Sequence, residues 1–183
     1  MADINFKSSS SSKPLESVKS RPGEPIWDII ELLFYAYRDF VGDADDVLRQ
    51  FGFGRAHHRV IHFVHRYPGL KVADLLDVLR ITKQSLGRVL KQLIDEDYIV
   101  QKAGESDKRQ RLLFATPKGE ALVAKLAGLQ TDRINAALKQ LDSTGADTVR
   151  RFLHAMIDHN DPDKVLQIVL GGRFAAKDTR ENR

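Results

Sequence analysis

The stretch that decides the fold reads ITKQSLGRVLKQLIDEDYIVQKAGESDKRQRLLFATPKG and covers residues 81–119. Its first half spaces apolar residues by three and four positions behind Thr82, a residue type that caps helices. Two short β-prone segments follow, residues 99–102 and 112–115, with a polar and basic connection between them. The stretch therefore predicts a helix followed by a β-hairpin with a long basic tip.

Outside this stretch, apolar spacing predicts helices on both sides. A short helix over residues 71–78 comes just before the turn at residues 81–82, so a helix-turn-helix leads into the hairpin. Longer helices are predicted over residues 25–50, 54–67 and 117–141. A last major helix is predicted to follow a cap at Ser143 or Thr144, and a shorter one covers residues 161–169. The predicted fold class is mainly α with a small β-hairpin wing.

The composition of the 183 residues is that of a globular protein, with a hydrophobic share of 42% and a charged share of 30%. The absence of cysteine excludes disulfides, thiolate nucleophiles and cysteine-ligated zinc. No run approaches the roughly 18 apolar residues of a membrane helix, and the N-terminus has no apolar signal core. We therefore expect a cytoplasmic protein without membrane contact.

The distribution of charge is more informative than the net charge of +4. Residues 80–111 contain eight Lys or Arg against five acidic residues, and the acids sit together. Two separate basic clusters remain, one on the predicted helix and one at the hairpin tip.

These two clusters suit double-stranded DNA, which is the predicted partner. A helix fits the major groove, and a basic loop beside it can neutralise phosphates or enter the minor groove. The candidate DNA-binding residues on the helix are Thr82, Lys83, Gln84, Ser85, Arg88 and Lys91, with Gln92 on the same solvent face. Those on the wing are Lys108, Arg109 and Arg111.

The same residues resemble the MarR (multiple antibiotic resistance) family of winged helix-turn-helix regulators. The family's wing has Asp, a basic residue and Arg, then a hydrophobic strand that ends in Leu-Thr, with Gly three residues on. Asp107-Lys108-Arg109 through Thr116 and Gly119 is similar to this pattern. The resemblance is specific over residues 54–122, and Asp107 is expected to shape the wing.

Two positions depart from the family pattern. Ala115 replaces the usual leucine before the threonine, and Asp97 stands where glycine is common. Aspartate tolerates the left-handed backbone that such a glycine adopts, so we expect the turn to be preserved.

The resemblance implies a winged helix-turn-helix domain over residues 54–119, with dimerisation helices over residues 25–53 and 120–172. Composition predicts flexible segments at residues 1–24 and 173–183. The implied protein is a homodimer whose twofold symmetry matches a pseudo-palindromic site with half-sites about 10 base pairs apart. The implied function is sequence-specific regulation of transcription, with repression favoured over activation.

Four of the six histidines lie in the helix predicted over residues 54–67. His58, His62 and His65 fall at i, i+4 and i+7, which places them on one helix face. Imidazoles at this spacing can bind Zn²⁺, another transition metal or haem. Packing of neutral rings against neighbouring helices is the favoured alternative, and DNA binding itself requires no cofactor.

Other functions stay open beside DNA binding. A His-cluster metal or haem sensor, or a metalloenzyme, has candidate ligands, but no general base, nucleophile elbow or phosphate loop accompanies them, so we predict that the chain is not an enzyme. A helical protein-interaction module leaves the basic wing unexplained. A small-molecule effector would need an apolar pocket, whose candidate lining residues are Trp27, Phe34, Tyr37 and Phe63, although these rings also suit a core.

Overall fold

The computed structural model describes residues 23–104, 107–157 and 162–171. These residues are mainly helical with a small antiparallel sheet, as the sequence predicts. The elements are α1 (Trp27–Arg49), α2 (Arg55–Arg66), β1 (Leu70–Lys71), α3 (Val72–Leu79), α4 (Lys83–Asp95), β2 (Ile99–Ala103), β3 (Arg111–Ala115), α5 (Pro117–Leu138), α6 (Gly145–Ala155) and α7 (Pro162–Gly171). None of the described helices is long and apolar enough to cross a membrane. The arms predicted at the two termini lie outside the described residues, apart from residues 23–24.

The chain divides within α1 into two compact units, Met1–Arg38 and Asp39–Arg183. In the first unit, most apolar side chains of the helix are exposed, and the Arg38 guanidinium lies 4.9 Å from the centre of the Tyr35 ring. In the second unit, the remainder of α1 is amphipathic and buries Val41, Ala44 and Leu48. The segment predicted as one helix over residues 25–53 therefore changes its environment near residue 38.

The core of the second unit is built from the apolar faces that the spacing predicts. Its largest fully buried side chains include Leu48, Ile61, Leu75, Leu86, Leu93, Ile99, Leu113 and Leu126. Burial of each such side chain stabilises the fold by roughly 1.5–3 kcal/mol. Leu86, Leu90 and Leu93 all face this core, so α4 directs its opposite face to solvent.

The sheet contains a strand that the sequence analysis does not predict. The strand order is β1-β3-β2, and β1 pairs antiparallel with β3 through Leu70 opposite Leu113 and Lys71 opposite Leu112. Gly69, with a φ of +83°, precedes this strand, and its N–H donates to the Leu113 carbonyl at 2.9 Å. A strand of two residues is too short to show alternation in sequence, so only its pairing with β3 reveals it.

Candidate nucleic-acid interface

The N-terminus of α4 is capped as the sequence predicts. The Thr82 hydroxyl oxygen accepts from the Ser85 N–H at 3.1 Å, and the Thr82 hydroxyl donates to the Ser85 hydroxyl oxygen at 2.9 Å. The first turn carries Lys83 and no acidic residue, so the positive end of the helix dipole is not offset there. This end of α4 is therefore suited to approach an anionic partner.

The polar face of α4 is exposed over its N-terminal half. Thr82, Lys83, Gln84 and Arg88 are exposed, and Ser85 is half-buried. Lys91 is also exposed, but its ammonium group pairs with the Asp95 carboxylate one turn later. The residues with the most freedom to contact DNA are therefore those before Lys91.

Gln92, which was predicted to face solvent or a partner, is less exposed than Arg88 and Lys91 on this face. Its side chain is half-buried and makes hydrogen bonds to His57 of α2 and to Glu96. The reason is its position near the C-terminal end of α4, where α2 packs against the helix and covers that part of the polar face.

The C-terminus of α4 ends in a Schellman motif. The Tyr98 N–H donates to the Leu93 carbonyl at 2.8 Å, and the Asp97 N–H donates to the Ile94 carbonyl at 3.0 Å. Asp97 has a φ of 61°, so the left-handed backbone expected at this position is confirmed. The motif ends the helix and turns the chain directly into β2.

A junction with α5 supports this turn from the other side. The Thr116 hydroxyl donates to the Asp97 carbonyl at 2.7 Å and accepts from the Gly119 N–H at 3.1 Å, so it joins the end of α4 to the start of α5. The Lys118 ammonium donates to the Glu96 carbonyl at 2.8 Å and lies 4.2 Å from the centre of the Tyr98 ring. The Leu-Thr-x-x-Gly part of the family pattern therefore corresponds to a contact that positions α4.

The wing presents its three predicted basic residues to solvent. Lys108, Arg109 and Arg111 are exposed, and residues 105–106 lie outside the described part of the tip. The Asp107 carboxylate accepts from the Arg109 N–H at 2.9 Å. The Gln110 N–H donates to the Asp107 carbonyl at 3.0 Å, so residues 107–110 form a tight turn.

The histidine face of α2 packs against neighbouring groups. His58, His62 and His65 are each half-buried, and the ring centres of His58 and His62 lie 6.5 Å apart at an interplanar angle of 83°. Among the described residues, no group of three or more His, Asp or Glu side chains is arranged to hold a metal ion. The metal or haem site at His58, His62 and His65 stays a prediction, beside the favoured packing of neutral rings.

Burial lowers the pKa of His58 from its ordinary value of 6.5, and the Asp45 carboxylate opposes part of this shift. Burial also lowers the pKa of His62. Positive charges on three neighbours add to that shift: His58, Arg66 and His65. The folded chain therefore favours the neutral imidazoles.

Acidification is expected to destabilise the fold through these two rings. Because both pKa values are lower in the folded chain, unfolded imidazoles take up protons first, and stability present above pH 6.5 is lost as the pH falls through the folded values. Urea unfolding at a series of pH values measures this loss. The double variant His58→Gln/His62→Gln should have a flatter profile above pH 5, where carboxylates are still ionised. If the parent and the double variant lose stability with pH in the same way, His58 and His62 are not the cause of the loss.

The four rings predicted as effector lining lie in different environments. In the first unit, Trp27, Phe34 and Tyr37 are exposed by 62%, 68% and 55%. In the second unit, Phe63 packs partly buried against the core, with its ring centre 5.3 Å from that of His62. Phe63 therefore packs against the core, and its part in an effector site stays a prediction.

The main residue that the sequence analysis missed is His57. Its Nδ1 atom accepts from the Gly54 N–H at 3.1 Å, and its Nε2 atom lies 2.9 Å from the Gln92 side-chain oxygen. The i, i+4, i+7 spacing directs attention to the other three histidines of α2. The sequence does contain a signal for His57. It lies three residues after Gly54, the residue before α2, and a side chain at that position can accept from the N–H of the capping residue.

Comparison with known sequences gives one family. The sequence model described as MarR family matches residues 51–110. The HTH-type transcriptional regulator PetP of Rhodobacter capsulatus is 46% identical over 129 residues, which are 70% of this chain and 78% of that protein.

Comparison with solved structures gives the same fold. A SlyA-like transcription regulator from Listeria monocytogenes matches with a TM-score of 0.60 at 20% identity, covering 81% of this chain and 96% of that chain. The MepR–DNA complex of S. aureus matches with a TM-score of 0.57 at 18% identity, covering 73% of this chain and 97% of that chain. At these identities, the similarity to solved structures shows the fold alone.

Proposed function

This chain belongs to the MarR family of transcriptional regulators, and we propose that it acts as a homodimer that reads a pseudo-palindromic site in double-stranded DNA. Repression by occupying that site is part of the proposal. The proposal draws support from the similar fold of MepR, which was solved as a complex with DNA. The chain acts by binding and not by catalysis.

The observation that carries the proposal is the exposure of the N-terminal half of α4 together with the basic wing. Gln84 and Arg88 are exposed on a helix whose opposite face packs in the core. Glutamine pairs with adenine and arginine with guanine in the major groove. The exposed cations of the wing are suited to phosphates or to the minor groove.

The homodimer is supported by apolar side chains that the single chain leaves exposed. Among the side chains that the structure describes, seven of these lie on the C-terminal helices and their connections: Ile134, Leu141, Phe152, Leu153, Met156, Leu166 and Val169. The first unit has its own exposed set, which includes Trp27 and Phe34. Exposed apolar side chains at this density are typical of an interface, and a second copy of the chain is the occupant we propose.

A small-molecule effector fits this proposal as the signal. A ligand that binds better to the free dimer than to the DNA-bound dimer would release the DNA by that difference in affinity. The effector remains a prediction, with the exposed aromatic rings of the first unit as its candidate contacts.

Substitutions on the wing and on α4 should have different effects on DNA binding. Arg109→Ala should weaken binding to all duplexes about tenfold and lower the slope of log K against log salt by about one per subunit, because it removes a phosphate contact. Gln84→Ala and Arg88→Ala should instead cost about 1–3 kcal/mol at particular base pairs and change which bases are selected. Selection from a random duplex pool, followed by titration at rising salt, measures both effects.

Lys139→Ala is the matched control, because it also removes one exposed positive charge but lies at the end of α5. It should bind like the parent. If Arg109→Ala, Gln84→Ala and Arg88→Ala all bind like Lys139→Ala, the assignment of the interface is wrong.

A further inference from the structure

His57 takes part in a chain of hydrogen bonds that joins the start of α2 to the end of α4. The Gly54 N–H donates to His57 Nδ1 at 3.1 Å, and His57 Nε2 lies 2.9 Å from the Gln92 side-chain oxygen. The Gln92 amide nitrogen then donates to a Glu96 carboxylate oxygen at 2.9 Å. Four groups are thus linked in sequence from one helix to the other.

The proton positions in this chain determine one another. A carboxylate only accepts, so the Gln92 amide must direct its nitrogen to Glu96 and its oxygen to His57. His57 must then donate from Nε2, which leaves Nδ1 unprotonated. An unprotonated Nδ1 is what the Gly54 N–H requires, so no donor meets a donor anywhere along the chain.

Contacts between aromatic rings also connect His57 to the end of α4. The His57 ring stacks on Phe53, with centres 4.8 Å apart at an interplanar angle of 13°. Phe53 in turn meets the Tyr98 ring edge-on at 5.0 Å. Lys118 lies over that Tyr98 ring and donates to the Glu96 carbonyl, so α5 is tied to the same point.

The position of Gln92 on α4 relates these hydrogen bonds and ring contacts to the exposed N-terminal half of the helix. Gln84, Arg88 and Gln92 are spaced four residues apart and lie along one side of the helix. Rotation of α4 by about 20° would move a side-chain tip ~6 Å from the helix axis by about 2 Å, more than a hydrogen bond to a base tolerates. A group that holds Gln92 in place therefore fixes the rotation of α4 about its axis, and with it the positions of Gln84 and Arg88.

We propose that His57 and Gln92 are positioning residues for DNA recognition. They hold the rotation of α4 through the series of hydrogen bonds that links Gly54, His57, Gln92 and Glu96. This inference rests on the proposed function and adds to it two residues that do not touch DNA. It differs from a role in stability alone, because it predicts a loss of base selection in protein that is still folded.

The first test compares the affinity for the best selected duplex with that for an unrelated duplex. His57→Phe preserves a ring against Phe53 but removes both hydrogen bonds, and it should lower this specificity ratio about tenfold. The affinity for the unrelated duplex and its salt dependence should stay at the parental values, since phosphate contacts are intact. His65→Phe, the same change elsewhere on α2, should retain the parental ratio.

The second test exchanges the carboxylate and the amide between positions 92 and 96. Gln92→Glu places two carboxylates against each other and should lower the ratio as His57→Phe does. Adding Glu96→Gln supplies an amide donor to the new carboxylate at unchanged net charge, so the double variant should recover to within about threefold of the parent. The Lys118 contact is to the Glu96 carbonyl of the main chain and is unaffected.

A third measurement needs no DNA. Nitrogen-15 NMR of the full-length parent at alkaline pH should find neutral His57 protonated at Nε2, and protonation at Nδ1 would overturn the proposal. Variants that lower the thermal midpoint but keep the parental specificity ratio would overturn it as well, by leaving only a role in packing. A parent that prefers no duplex sequence would instead refute the proposed function, and this inference with it.

Discussion

Replacing Gly119 with alanine is expected to lower the free energy of unfolding by about 3 kcal/mol. A Cβ atom on this residue would lie 2.1 Å from the Tyr98 carbonyl oxygen and 3.1 Å from its carbonyl carbon. Both are backbone atoms, so the methyl group cannot be accommodated by a change of rotamer. The start of α5 has to move away from the end of α4, and the hydrogen bonds of Thr116 at this junction are then weakened.

Gly128→Ala is the matched control for this substitution. Gly128 lies in the same helix, and a Cβ atom there would meet no heavy atom within 4 Å. Alanine at this position should raise the free energy of unfolding by up to about 1 kcal/mol, through helix propensity alone. Urea unfolding followed by circular dichroism, at one fixed protein concentration, measures both variants. A Gly119→Ala variant as stable as the parent would contradict the close approach of α5 to Tyr98.

Leu153→Asp is expected to weaken the proposed homodimer by about 100-fold or more, corresponding to about 3 kcal/mol. Leu153 is 54% exposed in the single chain and is flanked on α6 by Phe152, which is 47% exposed. If a second copy covers this surface, the new carboxylate is buried there without a partner of opposite charge. Sedimentation equilibrium over a range of concentrations gives the dissociation constants of the parent and the variant.

Thr148→Asp provides the comparison at equal charge. Thr148 is an exposed polar residue of α6, and its substitution should leave the dimer intact. Loss of the dimer should also reduce binding to the selected pseudo-palindrome much more than binding to a single half-site. The reason is that a monomer carries only one copy of α4, whereas the dimer carries two. A folded Leu153→Asp variant that dimerises like the parent would show that the partner copy does not cover α6.

Regular spacing and capping residues made α4 and the hairpin predictable. The cap at Thr82 and the turn at Asp107 depend on groups no more than three residues apart, so the sequence contains the full cause. The left-handed backbone at Asp97 was predictable on a different ground, because the family pattern commonly has glycine at that position.

Other features depend on residues far apart in the chain. Gln92 was placed on the solvent face because helical spacing puts it beside Arg88, and spacing contains no information on which part of the face another helix covers. Its partner His57 is 35 residues away. Strand β1 likewise exists only because Leu70 lies opposite Leu113.

Interactions within a few residues account for the features that were predictable from sequence: a capped helix, a basic wing and long amphipathic helices around them. Only packing between helices sets which side chains of α4 remain on the exposed surface. It withdrew Gln92 from that surface and tied it to His57, and it brought the Tyr98 carbonyl against Gly119. The physical reason is that packing selects which faces meet, and this choice depends on every helix in the core at once.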